Sequence, residues 1–301
     1  MYFLINKNNI FFSNFLCFLA VAFFSLSFPI NEILLKSWDI FSLLVFRNIF
    51  ALFFLFIIWV VIDKNKKISL KDWIKGILIG GIGFGLGTTL IVFSQLFSGP
   101  VIAALAAALM PISGFFLEYI FDNKKITFNF FISIVLVIIG GIIVTGIYSE
   151  SLVFNFGIFL GIFASLFFAW GSRQTVISLD NVNVLVQTLV TSTGMLIFSL
   201  LVLVLSNFFF NNDLSFNRIN FNDLGFVIFY SFFCLVISQI LWIKSVKLIG
   251  IGIASFHLNI APFYVMLILI FMGYDWSWIK FLGALIVFSG IIISQKNNFK
   301  K

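Results

Sequence analysis

Long apolar runs alternate with short polar segments along the whole chain. Each run has about 20 residues, the length that an α-helix needs to cross ~30 Å of hydrocarbon at ~1.5 Å per residue. The pattern therefore predicts an all-α integral membrane protein with roughly ten transmembrane helices. The predicted spans are 9–29, 40–62, 73–95, 100–121, 127–147, 155–172, 183–206, 223–243, 252–273 and 278–294.

Composition excludes the soluble classes of protein. Of 301 residues, 62% are hydrophobic and only 10% are charged, and the mean hydropathy is +1.18. Soluble domains are about half apolar and a quarter charged, so this chain lacks the polar residues to cover a water-facing surface. Soluble enzymes, nucleic-acid-binding proteins and disordered scaffolds are excluded.

The net charge of +7 is explained by topology rather than by a nucleic-acid partner. With the N-terminus placed inside and ten spans, most of the 18 Lys and Arg residues fall on inner segments. Outer segments hold Lys36, Arg218 and Lys280, and Arg47 lies within a span. By the positive-inside rule, both termini are predicted to be cytoplasmic, in the inner membrane of a bacterium.

The chain carries an internal repeat at an offset of 151 residues. Residues 99–104 (GPVIAA) align with residues 250–255 (GIGIAS), and Met110-Pro111 aligns with Ala261-Pro262. The repeat predicts two five-helix halves, residues 1–148 and 149–301. Five spans per half is an odd number, so the second half is expected to insert upside down, with a substrate site near the midplane between the halves.

The second half resembles the EamA repeat, the ten-helix branch of the drug/metabolite transporter superfamily. The resemblance is carried by residues 241–245 (LWIKS), Ala254-Ser255, Pro262, Gly283 and Gly290. Arg47 in the second span and Trp170-Gly171 in the sixth also match positions of the pattern. It implies a secondary carrier that moves amino acids, their derivatives or other small metabolites, commonly by export; a few relatives import compounds such as S-adenosylmethionine.

Arg47 is the leading candidate for substrate binding. It lies seven residues into the second span, about 10 Å below the outer edge, where an arginine costs at least ~2.5 kcal/mol unless it meets water, a partner or the headgroups. Its guanidinium could hold a carboxylate or phosphate group of a substrate. The alternative is a structural role, either snorkelling outward or pairing with Glu32 or Asp39.

Five further polar residues complete the candidate functional set. Gln187, Trp242 and Asn259 are predicted to offer hydrogen bonds or a stacking face to the substrate. Glu118 and His257 are candidates for coupling to a proton or ion gradient, although passive exchange is equally compatible with the sequence. The structural alternatives are an interfacial carboxylate for Glu118 and a hydrogen-bonded packing role for His257.

Glycine and proline residues are predicted to shape the helices. The glycine-rich segment 80–87 contains neither a dinucleotide nor a P-loop motif, and Gly81 and Gly85 match the small-xxx-small spacing of packed membrane helices. Pro111 and Pro262 are predicted hinge or packing positions. No cofactor and no metal site is expected, and the glycine spacing is compatible with a homodimer as well as with packing inside one chain.

Two other functions are weighed against the carrier. A membrane-embedded enzyme that modifies a lipid or metabolite needs clustered Asp, His or Lys near an interface, and the eleven acidic residues are scattered. A passive channel needs a ring of polar residues, which the pattern lacks. The expected partners are a small-molecule substrate and membrane lipid.

Overall fold

The fold is described from a computed structural model of the chain, which covers residues 7–63, 68–122, 128–145, 156–210 and 221–295. All regular secondary structure in these ranges is helical. The helices are α1 (Lys7–Leu34), α2 (Ile40–Asp63), α3 (Leu70–Ser98), α4 (Pro100–Ala107 and Met110–Asp122), α5 (Phe128–Thr145), α6 (Phe156–Ser178), α7 (Val184–Phe210), α8 (Leu224–Ile251), α9 (Ile253–Phe271) and α10 (Trp278–Gln295).

Eight of these helices, α1 to α4 and α6 to α9, are long and apolar enough to cross a membrane. Helices α5 and α10 carry shorter apolar stretches, Phe131–Gly140 and Trp278–Gly290. The prediction of an all-helical, multi-pass membrane protein is confirmed. The count of ten crossings and the cytoplasmic termini stay predictions, as do the bounds of the two halves, since the boundary at 148/149 lies outside the described residues.

Several helices run further than the apolar pattern indicated. Helix α6 continues to Ser178 and α8 to Ile251, whereas the predicted spans end at 172 and 243. The reason is physical: hydropathy marks where hydrocarbon ends, but a helix ends where its backbone hydrogen bonds find other partners. The added turns extend beyond the predicted apolar spans into the basic segments that follow them in the sequence.

Irregular backbone recurs at matching positions in the two parts of the chain. Helix α3 contains a π-helical segment at Gly80–Leu86, and α8 contains one at Tyr230–Ile237. Gly99 and Gly250, 151 residues apart, both adopt positive φ, of 85° and 81°. Gly99 directly precedes α4, and Gly250 forms the kink between α8 and α9. The helix that follows each glycine is interrupted further on, so the repeat seen in the sequence is also a repeat of helix geometry.

The interruptions in α4 and α9 precede the two prolines. The first part of α4 ends at Ala107, and the second begins at Met110, just before Pro111. In α9 the 3₁₀ turn His257–Ile260 precedes a helix with Pro262 in its first turn. A proline has no N–H to bond the carbonyl four residues earlier, so it is accommodated where a helix restarts.

Glycines bring α3 into close contact with α6 and α7. A methyl group on Gly85 would lie 2.9 Å from Cβ of Phe198 on α7, whereas one on Gly81 would lie 3.5 Å from the Gly194 carbonyl oxygen. The tightest contacts involve two other glycines of the segment. A Cβ on Gly80 would lie 1.9 Å from the Thr191 oxygen, and one on Gly83 would lie 2.5 Å from Cα of Gly171. These helices pack backbone to backbone.

Candidate functional site

A cavity lies inside the helix bundle, lined by residues of α1 to α4 and α6 to α9. Water centres can occupy about 100 Å³ of it, several times the ~10–15 Å³ that one water needs. The two interrupted helices contribute residues next to their breaks, Ala107, Met110 and Leu258. The lining is mostly apolar, with polar side chains at Ser27, Asn31, Arg47, Thr88, Ser165, Ser172, Tyr230, Ser238, Gln239 and Trp242.

Arg47 is fully buried in this lining, with no exposed surface. One guanidinium nitrogen, Nη1, donates a hydrogen bond to the Tyr230 hydroxyl, and the guanidinium carbon lies 5.1 Å from the centre of the Tyr230 ring. The other two nitrogens, Nε and Nη2, have no hydrogen-bond partner. Two strong donors of a buried cation are therefore unoccupied.

No carboxylate among the described residues pairs with Arg47. Asp39, an alternative partner in the sequence analysis, accepts instead from the N–H groups of Phe41 and Ser42, both at 2.9 Å, and so caps the start of α2. A tyrosine hydroxyl is neutral, so the positive charge of Arg47 has no compensating negative charge in the lining that the structure describes. A structural ion pair of Arg47 with Asp39 is excluded by this geometry.

An amide network continues from Arg47 to α1 and α3. Asn31 on α1 lies beside the Tyr230 hydroxyl and donates from Nδ2 to Oε1 of Gln95 at 3.4 Å. Gln95 in turn donates to the Phe28 carbonyl oxygen at 2.7 Å. The Oδ1 atom of Asn31 has no partner. This part of the cavity therefore presents one unoccupied acceptor near the unoccupied donors of Arg47.

Trp242 lies at the other end of the cavity. Its indole Nε1 donates to Oγ of Ser172 at 3.0 Å, which links α8 to α6. The neighbouring Gln239 also lines the cavity, and its Nε2 atom is buried without a partner. Helix α8 continues beyond Trp242 for nine residues, about 14 Å at ~1.5 Å per residue, without lining the cavity. Trp242 is therefore the last residue of α8 in the lining.

Gln187 and Asn259 do not line the cavity. The Gln187 side chain is fully buried, and its Nε2 donates to the Leu179 carbonyl oxygen at 2.5 Å, which ties the start of α7 to the end of α6. Asn259 is 2% exposed within the 3₁₀ turn of α9, and neither polar atom of its side chain has a partner. Further along α7, Thr191 and Gly194 contact the glycines of α3.

The two coupling candidates also lie apart from the lining. His257 is partly buried in the same 3₁₀ turn, with Nδ1 3.3 Å from the Ala254 carbonyl oxygen. Glu118 belongs to the second part of α4, but its side chain lies outside the described residues. Among the described residues no group of three or more His, Cys, Asp and Glu is placed to hold a metal ion.

Three lining residues with functional potential were missed by the sequence analysis: Asn31, Tyr230 and Gln239. Gln239 is an uncharged amide in an otherwise apolar predicted span, and an amide in hydrocarbon is costly without a partner, which was a usable signal. Asn31 lies just beyond the predicted first span, 9–29, so this signal did not apply to it. Tyr230 carried no such signal, because a single tyrosine in a span rich in phenylalanine is not marked out by its residue type. Its role depends on Arg47, 183 residues away in the sequence.

Comparison with known proteins agrees with this architecture. The sequence model of the EamA-like transporter family matches residues 11–146 and, a second time, residues 155–295. A protein of known crystal structure superposes with a TM-score of 0.65 at 15% identity, over 94% of this chain and 96% of its own. At that identity the likeness shows a shared fold. No curated protein sequence matches the chain. The two matches of the family model together cover nearly all of the chain, which therefore belongs to the EamA-like transporter family.

Proposed function

We propose that the protein is a secondary carrier that moves a small metabolite, such as an amino acid or an amino-acid derivative, by alternating access. The observation that carries the proposal is a cavity between the two parts of the chain, lined by eight helices, with the buried and partly unpartnered Arg47 in its wall. Ligand cavities of this kind, mostly apolar with few polar groups, are typical of small-molecule sites.

In this proposal Arg47 binds the substrate directly and Trp242 forms the inner end of the site. The interrupted helices α4 and α9 border the cavity at Ala107 and Leu258, where Pro111 and Pro262 leave the helices able to bend. Bending there moves one side of the cavity wall against the other. Gln187 and Asn259 act on helix packing in this scheme, because they lie away from the lining.

We further propose the membrane arrangement that the charges favour. The chain crosses the inner membrane of a bacterium ten times, with both termini in the cytoplasm and the two five-helix halves inverted relative to each other. The partners are the substrate and membrane lipid. Coupling to an ion gradient through Glu118 or His257 is not needed for transport by exchange.

Counterflow in proteoliposomes tests the carrier function. Vesicles are preloaded in turn with pools of amino acids, purines, sulfonium compounds and organic anions, and labelled members of the same pool are added outside. A carrier gives saturable, transient accumulation with at least one pool, without an imposed gradient. If the protein is folded and inserted and no pool gives counterflow, the proposal is contradicted.

A further inference from the structure

We propose that the transported species is a small organic anion: an apolar or aromatic body with one carboxylate, or a comparable anionic group, and no free amine. The inference rests on the proposed carrier function and narrows its substrate class. Within the broad class of amino-acid derivatives, it selects those whose amine is absent or acylated.

The charge of the lining carries the inference. Arg47 is the one charged side chain among the described residues that line the cavity. A guanidinium stays protonated at every physiological pH, so the empty cavity carries a charge of +1. A buried charge without a counter-ion is costly, and a bound monoanion removes this cost. A substrate with net positive charge would increase it.

The unoccupied polar atoms match this chemistry. Nε and Nη2 of Arg47 are two donors on one planar group, the arrangement that binds both oxygens of a carboxylate. The unpartnered Oδ1 of Asn31 suits an N–H or O–H of the substrate, and the unpartnered Nε2 of Gln239 suits a carbonyl oxygen. An acylated amine offers both an N–H and a carbonyl oxygen.

The remaining wall fits an apolar body. Phe24, Phe84 and Phe168 line the cavity together with Trp242, and aromatic faces of this kind contact a flat or branched apolar group. No carboxylate lines the cavity within the described ranges, so a free ammonium group would lose its water without gaining an anionic partner. This is the reason for excluding zwitterions as the preferred substrates.

The charge balance of transport follows from the same geometry. The bound pair of Arg47 and carboxylate is neutral, and the described lining offers no carboxylic acid that could move a compensating proton. Net movement of one substrate therefore transfers one negative charge, whereas exchange of two like substrates transfers none. Net uptake should respond to membrane potential, and counterflow should not.

Four probes that share the phenylalanine side chain but differ in charge test the inference in the purified full-length protein. N-acetylphenylalanine is an anion, phenylalanine a zwitterion, phenylalaninamide a cation and N-acetylphenylalaninamide neutral. We expect counterflow of the anion to exceed that of the other three by about tenfold or more, the weight of one charged hydrogen bond. A valinomycin-set potential, positive inside, should increase net uptake of the anion and leave its counterflow unchanged.

Variants distinguish the role of Arg47 in the cavity from a general effect of removing a positive charge. Arg47→Gln should weaken anion counterflow by roughly 10- to 100-fold, with Arg47→Lys intermediate because it keeps the charge and loses the fork. Arg173→Gln is the matched control, since Arg173 lies on α6 over the Phe121 ring, outside the lining. Thermal unfolding in detergent checks that each variant folds.

The outcomes are distinguishable. Preference for phenylalanine or phenylalaninamide, or anion counterflow that survives in the folded Arg47→Gln variant, overturns the substrate class and leaves the carrier function standing. Counterflow of none of the four probes overturns the substrate class as well. The wider pools described above then decide whether the carrier function falls with it.

Discussion

At the scale of the residue, the defining feature is a buried arginine with one neutral partner. Insertion of an arginine near the centre of a membrane helix costs about 2.5–3.5 kcal/mol, and the cation–π contact with Tyr230 returns roughly 1–2 kcal/mol of that. A side chain kept at net cost in the wall of a cavity is typical of a functional site. Tyr230 is a positioning residue in this arrangement, because it orients the guanidinium.

Tyr230→Phe tests that positioning role. The substitution keeps the ring under Arg47 and removes the hydroxyl that accepts from Nη1, so the guanidinium gains freedom to turn away from the substrate. We expect the KM for counterflow to rise about tenfold or more, the weight of one hydrogen bond to a charged group, while kcat changes less. The measurement is the concentration dependence of initial counterflow.

Tyr274→Phe provides the matched control for Tyr230. Tyr274 lies between α9 and α10, 40% exposed and away from the cavity, so the same loss of a hydroxyl should leave KM unchanged. An unchanged KM in Tyr230→Phe would show that Arg47 is held by its surroundings without this hydrogen bond.

At the scale of the element, all four irregular helices, α3, α4, α8 and α9, contact the cavity. π-Helical segments in α3 and α8 and interruptions in α4 and α9 occur at matching positions of the repeat. Such irregularities mark places where the i→i+4 hydrogen-bond ladder is weakened, and they concentrate at functional sites. Regular helices would present a different set of side chains to the cavity, since one added residue rotates everything that follows.

A substitution at Gly80 is expected to disturb the packing of α3 against α7 by steric overlap, not by a change in the helix propensity of α3. Gly80→Ala places a methyl group 1.9 Å from the Thr191 carbonyl oxygen, which is backbone that cannot move without shifting α7. We expect a loss of about 1–3 kcal/mol, the usual cost of overpacking. The measurement is thermal unfolding of the purified protein in detergent.

Gly114→Ala is the control for this steric effect. Gly114 lies in the second part of α4, and a methyl group there would meet no atom within 4 Å. Because alanine is about 1 kcal/mol better than glycine inside a helix, the Gly114 variant should be as stable as the parent or more so. Equal destabilisation in both variants would contradict the close packing at Gly80.

At the scale of the whole molecule, polar contacts close the side of the bundle that the charge distribution assigns to the cytoplasm. Nδ2 of Asn181, in the turn between α6 and α7, donates to both carboxylate oxygens of Asp72 at 3.2 Å. Asn183 donates to Asp63, and Nζ of Lys75 donates to the Ser178 carbonyl oxygen at 2.9 Å. These contacts join the α2–α3 region to the second part of the chain.

Release of these contacts should favour opening towards the cytoplasm. Asn181→Ala removes the link to Asp72, and Asn129→Ala on α5 is a control outside this network. The measurement is labelling of a cysteine placed at Thr175, a fully buried position of α6, by a membrane-impermeant maleimide applied to inside-out vesicles. The background carries Cys17→Ser and Cys234→Ser.

We expect faster labelling in the Asn181 variant, by about twofold to twelvefold, because each lost hydrogen bond shifts a two-state equilibrium by about 0.5–1.5 kcal/mol. The Asn129 control should label at the parent rate. Equal rates in all three proteins would contradict a closing role for the Asp72 and Asn181 contact.

The amino-acid sequence by itself determined the membrane class, the helical fold, the internal repeat and the family. These properties depend on the length and composition of each segment, which are local, and on the order of motifs along the chain. The buried arginine was predicted as a site residue for the same reason, because the cost of a charge in an apolar span is visible without knowing its neighbours.

Only the tertiary structure decided which polar faces meet in the cavity. Residue type made Gln187 a candidate for substrate binding, but it did not show that α7 packs against the glycines of α3. Likewise, Asn259 was a candidate from its residue type, and in the structure its neighbour Leu258 lines the cavity whereas Asn259 does not. Tyr230 and Arg47 meet across 183 residues of sequence. Contacts of that kind arise when helices pack against one another, and the hydrophobicity pattern of a single helix does not predict them.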